Sequence, residues 1–431
     1  MPPVFGKMKT LMACTALATL SIAPALQAEL ASDLQDGITP LMTEAKWTGA
    51  ERQRALTILH LAMFDAANAT QGVYTPYAYD GAIDTTASTE AAVAQAALSV
   101  METLLPAHVK ELEAQMAAHL ASATDQASLE AGRRIGAEAA AAVLAVRAED
   151  GADFSLDYTP GAPEAGIYQP TSERAMVAPK IKDMTPFVLS SATQFRVPPP
   201  PALESAQYQQ GLLEVVTRGG KDSPASAEDI EIAKLHAGSG SGAWNQLARS
   251  SARACALPLL EETRMLALLN VALSDALVAG FNAKYSYALW RPQTAVEALG
   301  KTYNHPDLEP GLVWESRIPA PMHPEYPCQH CTSGSAALEV MTSVFGSAPF
   351  PIRFEGAANI SKSYDSLQQF AEEESESRLI GGVHYRRSNA VGDMLGYQIG
   401  HHVAATALQP LSAEAAAPRT CAGFDSTMVS Q

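Results

Sequence analysis

The chain has 431 residues, 47% of them hydrophobic, and its 29 basic and 46 acidic residues give a formal net charge of −17. A surface this acidic argues against nucleic acid and anionic membrane as partners. A chain of this length with five cysteines buries its own core without a disulfide scaffold.

The N-terminus reads as a leader. Lys7 and Lys9 precede an apolar run over residues 11–23, too short to span a bilayer, and small residues follow up to Ala28. This is the pattern of a secretory signal peptide over residues 1–28, which implies a periplasmic or secreted protein. The competing reading is an ordinary buried first helix. Without the leader, 27 basic residues face 46 acidic ones, a net charge of −19. No later segment is expected to be long and apolar enough for membrane insertion.

Downstream, period-two alternation is nearly absent and helical spacing recurs. Thr48 and Glu51 form a capping box ahead of a helix over 52–68. Helices are expected at 89–121, broken near Pro106, and at 125–147. Residues 150–201 are rich in proline, glycine and serine and read as a long irregular segment. Helices resume at 204–218, 226–236, 261–283, 332–345 (stopped by Gly346), 363–378 and 388–408. The fold class is therefore all-α, two packed helical bundles with long irregular connections. Residues 29–180 are assigned to an N-terminal helical region, 181–410 to a second bundle carrying the chemistry, and 411–431 to a loose tail. His60-Leu-Ala-Met-Phe-Asp65 and Asn270-Val-Ala-Leu-Ser-Asp275 share a pattern. Two independent helices using common residues are favoured over a duplication.

Three stretches concentrate cations and histidines. In the first, Lys284 and Arg291-Pro292 are seven residues apart, so two helical turns would bring both to one side. The second is His323-Pro-Glu-Tyr-Pro-Cys328-Gln329-His330-Cys331, a turn opening into a helix whose first N–H groups form a ready anion site. The third is Ser377-Arg378-Leu-Ile-Gly-Gly-Val-His384, with Ser388 or Asn389 expected to cap the helix that follows. Taken singly, each has a plain structural explanation: a charged helix end, a turn, and Arg378 paired with Glu374 four residues earlier. Three cations meeting at one site in an acidic protein need an anion, and arginine forks suit a tetrahedral oxyanion such as phosphate.

The order and spacing resemble the vanadium-dependent haloperoxidase and type-2 phosphatidate phosphatase superfamily, whose pattern is K-x6-R-P, P-S-G-H and S-R-x5-H. The first motif is complete at Lys284–Pro292 and the third at Ser377–His384. The resemblance, of the bacterial haloperoxidase kind, covers about residues 180–405. It implies that Lys284, Arg291 and Arg378 hold the oxygens of vanadate, or of phosphate in the phosphatase version. It makes His384 the axial ligand of vanadium or the phosphorus nucleophile, and His330 the acid–base residue. Lys284 would also act in catalysis by activating bound peroxide. Phe281 and His323 would wall the halide pocket, with His323 looking more like bromide-oxidising than chloride-oxidising members, so that bromide or iodide is expected ahead of chloride. The implied substrates are hydrogen peroxide and halide, or a small phosphoester; a homo-oligomer is left open.

The middle motif departs from the pattern. Cys328 replaces a serine and Gln329 a glycine, so both are assigned to the cofactor site with altered chemistry: a thiol is a weaker donor, and Gln329 adds a side chain. The Cys328/Cys331 pair admits other readings: a redox dithiol, a zinc site with His323, or a disulfide that locks the turn. A non-catalytic helical protein with a degenerate site is a further alternative.

Overall fold

The computed structural model describes residues 29–120, 124–238, 240–346, 352–413 and 415–417. The expected signal peptide and residues 418–431 of the tail lie outside the described residues. Thirteen α-helices are seen among these residues, with one small two-stranded sheet, and the all-α expectation holds.

In the first bundle, α1 (Leu30–Glu44) is followed by α2 (Gly49–Ala69), α3 (Thr89–Leu104), α4 (Val109–Leu120) and α5 (Gln126–Arg147). The Thr48–Glu51 capping box is present at the start of α2. Helix α3 packs closely on α5 because glycines lie between them. A Cβ at Gly132 or Gly136 would fall 2.4 Å from Ser88 O or 2.3 Å from Ala92 O.

The second bundle runs through α6 (Ala206–Gly219), α7 (Ala227–Leu235), α8 (Gly240–Ala254), α9 (Leu259–Tyr287), α10 (Pro292–Glu297), α11 (Gln329–Phe345), α12 (Leu367–Ile380) and α13 (Arg386–Thr406). Three of the helices, α1, α8 and α10, were not anticipated. Residues 361–364, near the expected start of the 363–378 helix, are instead strand β2 (Ser361–Tyr364), antiparallel to β1 (Ile352–Glu355). Their alternating polarity is only four residues long in each strand, below what a periodicity reading detects.

Helix α9 is the centre of the molecule and packs on α2, α8, α11 and α13. It corrects one expectation: it is long and apolar enough to cross a membrane, with mean hydropathy 1.5 over its most apolar stretch. Its apolar surface is instead covered by protein, that stretch being 89% buried. A helix that is hydrophobic all round is what a central core position requires. The α2–α9 contact is polar as well as apolar: Gln53 and Thr57 hydrogen-bond Asn270, and Thr57 meets Ser274 at 2.7 Å.

The irregular segment before α6 is pinned at defined points. Arg147 at the end of α5 donates to Pro186 O and Thr185 O. Immediately after, Asp275 on α9 accepts from the N–H groups of Phe187, Val188 and Leu189 at 2.6–2.9 Å. Burial pushes the Asp275 carboxyl up to about 6. The tail expected to be loose after Pro410 is tied at its first residue, where Leu411 N–H donates to Val73 O at 2.9 Å.

Candidate active site

Helix α9 ends one turn after Lys284, where Ala288 adopts a left-handed conformation (φ 48°). Lys284 and Arg291 therefore do not share a helix face as the spacing suggested. Arg291 sits at the N-cap of α10, and the turn folds it back beside Lys284. Both side chains are fully buried. The Lys284 ammonium donates to Pro324 O and Glu325 O at 3.1 Å each, and to Pro327 O. It thus ties down the His323–Pro327 turn. Burial, with Arg291 beside it, holds its pKa well below the usual lysine range.

Arg291 knits three stretches together. Its Nε donates to His323 O (3.0 Å) and its Nη1 to Val383 O (2.8 Å), and Nη2 lies 3.0 Å from His323 Nδ1. Its Nη1 also lies 3.3 Å from His384 Nε2. The other face of His384 is fixed by Glu325, whose Oε1 is 2.8 Å from Nδ1. The same carboxylate accepts from Tyr385 N–H (3.0 Å) and from the Ser388 hydroxyl (2.8 Å). A carboxylate on Nδ1 selects the tautomer with its proton there and leaves a lone pair on Nε2. Burial, reinforced by Arg291, Lys284 and Arg378, pushes the imidazole well below its usual pKa, so this ring is neutral. Helix α13 begins at Arg386 with Tyr385 as N-cap and no side-chain cap. Ser388, expected to cap it, is instead spent on Glu325.

Arg378 closes α12, fully buried. Its Nη1 donates to His236 O at 3.2 Å, while Nε and Nη2 have no hydrogen-bond partner among the described residues. An unpaired buried guanidinium edge is costly, and such an edge calls for an anion. The start of α11 supplies further donors. Among the described residues no acceptor serves the N–H of Gln329 or His330. His330 lies at the site's open side, partly exposed, and burial together with Arg378 lowers its pKa well below the usual value.

The Gln329 side chain does not fill this cradle. It turns toward α9, where its amide donates to Ala276 O and to Ser333 Oγ. Gly280 makes the room: a Cβ there would lie 2.1 Å from Gln329 Oε1. Gln329 is the first residue of α11, so nothing in its backbone requires a glycine. Cys328 and Cys331 are joined as a disulfide, and no group of acidic, cysteine or histidine residues suited to a metal ion is found among the described residues. A cystine sulfur has no S–H to offer an oxyanion.

A cavity of about 520 Å³ leads to this site. Phe281, His323, Gln329 and His330 are among the residues that line it, with Gln53 and Leu56 of α2. The Phe281 and His323 rings are 5.2 Å apart. Burial and the adjacent Lys284 and Arg291 keep His323 neutral, well below its usual pKa.

Residues 264–413 match the family described as the VCPO second helical-bundle domain. That match spans α9 to the end of α13, and the fold of the chain is of the vanadium haloperoxidase kind. Its fold is shared with a solved structure described as the first bacterial vanadium-dependent iodoperoxidase, at a TM-score of 0.76 and 24% identity over 90% of this chain and 98% of that one. It is also similar to a holo-type bacterial vanadium-dependent chloroperoxidase, at a TM-score of 0.64 and 17% identity over 83% of this chain and 91% of that one. The apo-type chloroperoxidase gives 0.62 and 16% over 82% and 93%. A comparison with curated protein sequences gives no match.

The site residue that sequence reasoning passed over is Glu325. It stands inside the His323–Pro327 stretch, but its partner His384 is 59 residues away, and no local spacing links them. The residues present fit a tetrahedral oxyanion. They supply the unpartnered edge of Arg378, two helix-start N–H groups and the Nε2 lone pair of His384.

Proposed function

We propose that this protein is a vanadate-dependent haloperoxidase that oxidises bromide or iodide, in preference to chloride, with hydrogen peroxide, in the periplasm or outside the cell. The observation that carries the reading is the unpartnered Arg378 edge gathered with Lys284 and Arg291 around a His384 whose Nε2 lone pair is fixed by Glu325. The match of residues 264–413 to the VCPO second helical-bundle domain supports the cofactor class. Vanadate, when bound, supplies the Lewis-acid centre at which peroxide becomes an electrophilic oxygen donor to halide.

The chain's residues do the rest. His384 would hold vanadate through Nε2, and Glu325 keeps that ring from turning. Arg378 and the Gln329 and His330 N–H groups would donate to the oxygens of the bound anion, and Arg291 supports His384 and His323 from behind. The buried charges of Lys284, Arg291 and Arg378 offset anionic charge in a site shielded from water. His330, lining the cavity, is placed to take a proton from incoming peroxide and return it to the leaving oxygen. Phe281 and neutral His323 form a soft, weakly polar wall suited to a large polarizable halide.

One observation favours a second reading. The Nε2 lone pair and the same cations would equally serve a phosphatase, with His384 attacking a phosphomonoester and His330 protonating the leaving group. The protein is assayed after loading with orthovanadate, using peroxide with chloride, bromide or iodide, and without vanadate using a phosphomonoester. Vanadate-dependent oxidation of bromide or iodide that is lost in His384→Ala is expected. Phosphate release with no halide oxidation would replace the first reading with the second, and neither activity would leave the non-catalytic alternative standing.

A further inference from the structure

The Cys328–Cys331 disulfide closes a short ring whose interior is the main chain of Gln329 and His330, the two residues whose N–H groups lack acceptors among the described residues. Both sulfurs are buried, at 0% and 2% exposure for the two residues. Cys328 Sγ accepts the Cys331 N–H at 3.2 Å and so caps α11. Cys328 N–H donates to Ser388 O at 3.0 Å, and a Cβ at Gly392 would lie 2.5 Å from Cys328 O and 3.0 Å from Cys331 Cβ. The cystine is thereby clamped onto the first turns of α13, which also carry the Ser388 bond to Glu325.

We infer, resting on the oxyanion reading of the site, that the cystine is the positioning element of the anion-binding turn. It fixes the Gln329 and His330 amides and the His330 ring through a covalent ring, where a hydroxyl at position 328 would contribute a donor. The bond has a second consequence in a site that handles peroxide. A free Cys328 thiolate would attack peroxide, its sulfur gaining one oxygen as sulfenic acid and losing two electrons while hydroxide leaves. The Cys331 thiol would then form the S–S bond on that sulfur, with the oxygen leaving as water. Two thiols and one peroxide give one cystine and two waters, so peroxide itself drives the turn to its locked form.

Hydrogen exchange over residues 324–333 is measured on anion-free protein with the disulfide intact, after phosphine reduction, and in Cys331→Ser. The same samples are titrated with orthovanadate. Opening the ring is expected to speed exchange in this turn and to weaken vanadate binding by about tenfold, roughly 1.4 kcal/mol. Cys328→Ser combined with Cys331→Ala, which restores a hydroxyl cap without a bond, is expected to regain much of that affinity. Re-exposure of the reduced protein to peroxide should return the intact mass to that of the cystine form. Unchanged exchange and affinity in reduced and Cys331→Ser protein would overturn the inference. So would faster exchange spread over both bundles with no local change, the mark of a merely structural cross-link. If the intact protein binds no orthovanadate, the oxyanion reading falls, and the exchange data alone decide the role of the cystine.

Discussion

The His384 ring is only as useful as the group that orients it. Glu325 spends both oxygens on three donors, from His384, Tyr385 and Ser388. Burial pushes its carboxyl up to about 7, against the pull of Arg291. Glu325→Gln keeps the shape but places an amide N–H₂ among donors, so the ring loses its anchor. Orthovanadate affinity is expected to fall by about 10- to 100-fold, as for other residues that hold metal-ligating histidines, with the midpoint of unfolding little changed. Titration calorimetry on the variant checks this, and an unaltered affinity would deny Glu325 its positioning role. The two flanking motifs were legible in the sequence because their chemistry is local: a cation or histidine at fixed spacing beside a proline or glycine turn. Glu325 was not, because an acidic residue between two prolines reads as solvated until the fold brings His384 to it. Gln329 was read as an obstacle for the same reason, since the space that accepts its side chain belongs to Gly280 on another helix.

At the scale of elements, the two bundles repeat one device. Asp65 on α2 accepts from three successive N–H groups, those of Tyr77, Ala78 and Tyr79, at 2.7–2.9 Å. Asp275 on α9 does the same for Phe187, Val188 and Leu189. In each bundle a glycine-bearing helix then packs close to its neighbour, α5 on α3 and α13 on α11. Independent use of common residues does not predict this shared role, so the repeated sequence pattern carries more weight than its composition suggested. The α11–α13 contact rests on Gly392, Gly396 and Gly400, four residues apart on one face. A Cβ at Gly396 would fall 2.2 Å from Thr332 O. Gly396→Ala is expected to cost about 1–3 kcal/mol, the usual range for forced overpacking, read as a lower urea midpoint. Helix α13 was legible from its periodicity, but its closeness to α11 was not, because a glycine's purpose lies in the backbone opposite.

For the whole molecule, buried charge sets the response to pH. Glu262, on α9, caps α1 by accepting from the Ala31 and Ser32 N–H groups and the Ser32 hydroxyl. Burial pushes its pKa up from 4.5 to about 7. A carboxyl raised in the folded state binds its proton more tightly there than in the unfolded chain. Its favourable contribution is therefore complete below about pH 4.5 and is lost as pH rises to about 7. The buried histidines of the site act in the opposite sense, since their depressed pKa values favour folding as pH rises through 6.5. The test is consequently a difference: the stability of Glu262→Gln relative to wild type should rise between pH 4.5 and 7 and stay level outside that window. A flat difference would mean that Glu262 titrates normally.

The same electrostatics bear on the central claim, that this acidic chain gathers buried cations and a neutral His384 to hold an oxyanion. An anion in the cradle opposes the field of Lys284, Arg291 and Arg378, which helps depress His330, and so raises the pKa of His330. Orthovanadate titration of the protein, run near neutral pH in two buffers of different ionisation enthalpy, measures affinity and proton uptake together. Saturable binding at one site with net proton uptake is predicted, and loss of both in His384→Ala. Absence of binding, or binding that survives His384→Ala unchanged, would contradict the oxyanion site.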